Sequence, residues 1–160
     1  MRKTELNEAE FRFTHSELIE YYQYIEMRLK GICAALLADK EKNWIQRLGN
    51  YERDPLGMLI NKLKEIQKDN DFGYLSESDF DCLDKIRERR NYWCHQCFTG
   101  FDHVTFSQGK TANERILKKQ VYGINLKQDF NNAFEWNETL TEVFRTISKN
   151  KGLLGNSFDE

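Results

Sequence analysis

The stretch Leu18-Ile19-Glu20-Tyr21-Tyr22-Gln23-Tyr24-Ile25-Glu26-Met27-Arg28-Leu29-Lys30-Gly31-Ile32-Cys33-Ala34-Ala35-Leu36-Leu37 decides the fold class. Leu18, Tyr21, Tyr22, Ile25, Leu29, Ile32, Cys33, Leu36 and Leu37 recur at three- and four-residue spacing, which draws one apolar stripe along a helix. Glu20, Glu26, Arg28 and Lys30 fill the spaces between them. The pattern predicts a single long helix from about Asn7 to Asp39. A helix of that length needs partners for its stripe, so the rest of the chain should supply them.

Working outward, a polar stretch at Lys40–Asn43 and the Gly49-Asn50 pair break the pattern, with a short helical turn expected around Trp44, Ile45 and Leu48. Asp54-Pro55 reads as a cap followed by proline at the first helical position, where its missing N–H costs nothing. Leu56, Leu59, Ile60, Leu63 and Ile66 give that second helix its apolar face, up to Asp69-Asn70. Ser76 and Asp79 resemble a capping box and open a third helix, expected to reach Phe98 with Phe80, Leu83, Ile86, Trp93 and Cys97 inward. Periodicity then fails between Gly100 and Gly123, which reads as an irregular insertion with Val104-Thr105-Phe106 extended and a helical turn near Ala112–Lys119. Asn125 and Gln128 are expected to cap the last helix, which carries Leu126, Phe130, Ala133, Phe134, Leu140, Val143, Phe144 and Ile147 and ends at Gly152 and Gly155. The expected fold is all-α, a four-to-five-helix up-down bundle in one domain spanning 1–160, with an irregular insertion at about 100–124.

Composition narrows the function. The 160 residues can bury a core without disulfide or metal support. A net charge of -2 excludes a protein that coats nucleic acid through bulk charge, so any nucleic-acid contact must be local. The charged start and the lack of a long apolar run predict a cytoplasmic protein with no membrane association. The four cysteines, Cys33, Cys82, Cys94 and Cys97, lie on apolar helical stretches rather than in a secreted disulfide pattern.

One segment of the third helix is not explained by core packing. At about 100° per residue, Arg90 falls near the middle of the face shared by Phe80, Leu83, Ile86, Trp93, Cys94 and Cys97. A guanidinium there needs a carboxylate, a phosphate or a subunit boundary to offset its desolvation. Asn91 and His95, one α-helical turn apart, follow the edge of the same stripe. Histidine moves protons near neutrality, arginine offers a forked donor to phosphate oxygens, and asparagine can orient the imidazole. RNA brings its own nucleophile, the 2′-hydroxyl, so these residue types suit phosphodiester cleavage without a metal. Lys85, Arg87 and Arg89 read as a solvated face that can attract or bind RNA.

The segment Arg90-Asn91-Tyr92-Trp93-Cys94-His95 resembles the signature of the HEPN superfamily: an arginine, a polar residue, then a histidine after a short gap. Leu83–Arg89 looks like the helix leading into that signature, and Leu56–Ile60 with Lys62-Leu63-Lys64 is similar to the second helix of several members. The likeness covers about the first hundred residues and the last helix; the 100–123 insertion has no counterpart. It implies a homodimer whose motif helices face each other, and metal-independent endoribonuclease activity leaving a cyclic phosphate. Within it, His95 is the acid/base, Arg90 the phosphate ligand and Asn91 a support. It also implies a role as a toxin or antiviral defence effector, or else a non-catalytic RNA-binding or assembly module in a defence or toxin–antitoxin complex. Members restrained by a nucleotidyltransferase antitoxin often carry a tyrosine two residues after the histidine, where this chain has Cys97.

Competing readings are structural. Arg90 can be a structural ion pair with an acid on a neighbouring helix, and the chain can be a purely helical antitoxin or immunity partner. Cys94-His95-Gln96-Cys97 has a spacing used by zinc, but tetrahedral zinc needs four ligands and no second close pair exists. No metal and no cofactor are expected. The Tyr21-Tyr22-Tyr24 cluster suits either core packing or base stacking.

Overall fold

The computed structural model describes residues 8–38, 41–70, 73–96 and 112–153. Among these the chain is all-α, with five α-helices and no strand: α1 (Glu8–Leu37), α2 (Glu41–Asn50), α3 (Leu56–Asn70), α4 (Glu77–Asn91) and α5 (Ala112–Lys151). A π-helical turn, Tyr92–Gln96, continues from the end of α4.

The helix ends follow local chemistry. Ser76 Oγ accepts from the Asp79 amide at 3.2 Å while Asp79 Oδ2 accepts from the Ser76 amide at 2.7 Å, the reciprocal box expected from sequence. Pro55 sits one position earlier than predicted. Its carbonyl accepts the first helical bonds of α3, from the Met58 and Leu59 amides at 3.0 and 3.1 Å, and the Asp54 carboxylate turns to Lys62. At the other end of α5, Gly152 takes a φ of 63°. Its amide donates to the Lys149 carbonyl and that of buried Leu153 to Ser148, a Schellman stop.

Two expectations are corrected. α5 begins at Ala112, so Gly123 lies inside a helix and Asn125 is not a cap. The sequence does carry a signal for this start: Leu117, Val121 and Ile124 stand four and three residues apart, at helical spacing. The rest of the predicted insertion, with Val104-Thr105-Phe106 and His103, lies outside the described residues. The third helix does not run to Phe98 as an α-helix: it changes register at Tyr92, inside the motif, and Phe98 and Cys97 are not described.

The chain gathers into two compact units. One comprises Gln23–Arg87 with the segment from Trp136 onward. Its core joins Ile25, Leu29 and Ile32 of α1 to Leu59, Leu63, Leu83 and Leu140, all fully buried or nearly so. There the Lys151 ammonium closes the C-terminus of α1 by donating to the Leu36 and Ala38 carbonyls, a cation at the negative end of the helix dipole. The other unit comprises the segment to Tyr22 with Glu88–Glu135, and it contains the motif. Phe11, Leu18, Tyr22, Trp93, Leu126 and Ala133 are its buried apolar residues. Among the described residues, no helix is long and apolar enough to cross a membrane.

Candidate functional site

Trp93 anchors the site. Its side chain is fully buried, and its indole Nε1 donates to Asp129 Oδ2 of α5 at 2.6 Å. Arg89 Nε donates to the same oxygen at 2.7 Å, and its guanidinium lies over the Tyr92 and Trp93 rings at 4.9 and 5.7 Å. On the α1 side, His15 Nε2 donates to the Trp93 carbonyl at 2.9 Å, and the imidazole packs against both Phe11 and the indole. Three helices thus hold one residue of the π turn. Tyr22 completes the setting: burial raises its hydroxyl pKa, and the Asp129 charge adds to that.

Arg89, expected on a solvated face, is the arginine that carries the structural ion pair. Arg90 carries none among the described residues; its Nη1 donates to Asn91 Oδ1 at 3.3 Å. The helical wheel put Arg90 amid apolar side chains, yet it is half-buried and Asn91 and His95 are exposed. The register change begins just after Asn91. On an unbroken α-helix, side chains five apart diverge by about 140°. A turn bonded i→i+5 draws them toward one face. Arg90 and His95 are five apart, and the π turn takes up the interval from Tyr92 onward. Cys94 reports the same neighbourhood: burial pushes its thiol up while the Arg90 charge pulls it down.

Arg87 and Lys85 belong to the other unit. Arg87 Nε lies 3.5 Å from Asp84 Oδ1, and Asp84 also pairs with Lys64 at 2.9 Å. The Arg87 stem passes over Gly57, where an added Cβ would stand 2.9 Å from Cδ. Lys85 is exposed. Among the described residues, no three His, Cys, Asp or Glu side chains cluster to hold a metal ion; Cys97 lies outside them.

Sequence reasoning missed Asp129 and gave His15 no structural role. Both left a signal. His15 falls on the Phe11–Leu18–Tyr22 stripe and Asp129 beside Leu126 and Ala133, so each is a polar residue on an apolar face. No family model, curated protein or solved structure matches this chain.

Proposed function

We propose that the protein is a metal-independent endoribonuclease of the HEPN type, working as a homodimer in a toxin or antiviral defence role. The observation that carries this reading is the π-helical turn inside the Arg90–His95 motif. Such turns recur at functional sites because they depart from the regular ladder and re-aim side chains. Here buried Trp93, bonded by half-buried Asp129 and His15, anchors the turn, while Asn91 and His95 are exposed and Arg90 is half-buried.

In the proposed reaction the 2′-hydroxyl loses its proton and attacks the adjacent phosphorus. The bond to the 5′-oxygen breaks, that oxygen gains a proton, and a 2′,3′-cyclic phosphate and a 5′-hydroxyl result. Arg90 neutralises charge growing on the non-bridging oxygens. His95 handles a proton. The step removes a proton at one atom and delivers one at another, whereas the motif offers one histidine per chain; a second copy would supply the other. Asn91, bonded to Arg90, fixes the guanidinium or the imidazole.

The test is labelled single-stranded RNA incubated with protein and chelator. His95→Ala and Arg90→Ala should each lower cleavage by about a hundred-fold or more, with circular dichroism unchanged. Undiminished cleavage by both variants would refute the assignment. A second reading, a non-catalytic RNA-binding or assembly module, is favoured by the groove on α5 described below, whose described lining includes neither Arg90 nor His95. It predicts RNA binding without products.

A further inference from the structure

A groove of about 390 Å³ lies along α5 in the motif-bearing unit, lined among the described residues by Gln128, Asp129, Asn131, Asn132 and Glu135. Gln128, Asn131, Asn132 and Glu135 stand at i, i+3, i+4 and i+7 and so share one stripe. The groove is tied to the motif through Asp129. Oδ2 of that carboxylate accepts from both Trp93 and Arg89, and Oδ1 takes neither bond.

The lining is chemically specific. Among the described residues it holds three carboxamides and two carboxylates. A surface of that kind repels phosphate oxygens but pairs well with groups that offer donors and acceptors side by side. Nucleobase edges are such groups, and Asn or Gln reads them through paired N–H and C=O bonds. Consecutive asparagines are also a poor choice inside a 40-residue helix, where they favour turns and caps over helical backbone. Beside the stripe, Phe134 leaves 43% of its surface exposed. Tyr21 meets its ring edge-on at 5.5 Å, and meets that of Phe130 at 5.4 Å. An exposed ring braced in this way suits base stacking.

We infer that this groove is a nucleobase subsite, selective for an unpaired base whose exocyclic amino group stands beside an acceptor ring nitrogen on the Watson–Crick edge, adenine or cytosine. The amino group donates to Asp129 Oδ1, and the ring nitrogen accepts from the asparagine amides. Uracil has no amino group and meets that carboxylate less well. The inference rests on the RNA reading above: Arg90 takes the phosphate and α5 reads the base.

The test measures affinities of 2′-O-methyl oligo(A), oligo(C), oligo(U) and an abasic strand of equal length, in chelator, at two salt concentrations. Wild-type protein, the Asn131→Ala/Asn132→Ala double variant, Gln128→Ala and Arg90→Ala are compared, with folding checked by circular dichroism. Wild type should prefer oligo(A) or oligo(C) over oligo(U) by roughly ten-fold. The double variant should lose most of that preference, Gln128→Ala part of it, and Arg90→Ala should weaken every strand, the abasic one included. RNA bound through Arg90 with equal affinity for all strands, or with a preference that the α5 variants keep, overturns the subsite and leaves the RNA reading standing. No binding of any strand by wild type at low salt overturns both.

Discussion

Arg89 and Arg90 are neighbours in sequence with opposite fates. Arg89 is neutralised by Asp129 and stacked on two rings, so it is committed to structure. Among the described residues, the Arg90 side chain bonds to that of Asn91, and its charge is felt at Cys94. A guanidinium left so is available to a phosphate. A different consequence of burial appears at Cys33, whose thiol is pushed from an ordinary 9.0 up to about 12. The folded chain keeps this proton after the unfolded chain has released it. The stabilisation is therefore complete below about pH 9 and is lost as pH rises toward 12. The decline is at most roughly 1.4 kcal/mol per pH unit. Urea unfolding at pH 8 and pH 10.5 should show a smaller alkaline loss for Cys33→Ala than for wild type. Equal losses would contradict the burial argument.

At the scale of elements, the helices were legible because their signals are local. The α1 stripe, the Ser76–Asp79 box and the Gly152 stop each lie within a few residues of what they determine. The π turn was not legible. Its causes sit far along the chain, at His15 on α1 and Asp129 on α5, and a helical wheel assumes a constant 100° step. The same wheel made Arg90 central and missed Arg89's acid, since no spacing rule links positions 40 apart. The six motif residues themselves could be read directly; their geometry could not.

Asp129 holds the turn through the Trp93 indole. Asp129→Ala would leave the buried Trp93 indole N–H without its acceptor and cost about 1–3 kcal/mol. Asp129→Asn keeps an acceptor oxygen and should cost less. The measurement is urea stability together with hydrogen exchange of the Trp93 indole proton by NMR. Faster exchange in Asp129→Ala than in Asp129→Asn is expected, and unchanged exchange in both would mean that the turn stands without this contact.

For the whole molecule, a net charge of -2 means that any RNA must be held by local chemistry rather than by a basic surface. The division of labour proposed here meets that need, with a cation and an imidazole at the motif and an amide-lined groove on α5. It also makes the substrate's own 2′-hydroxyl the nucleophile. The most direct test presents wild-type protein, in chelator, with an RNA strand and a 2′-O-methyl strand of the same sequence. The RNA should be cut to products ending in a cyclic phosphate, while the 2′-O-methyl strand is bound and stays intact. Equal cleavage of both strands, or an uncut RNA, would contradict the account.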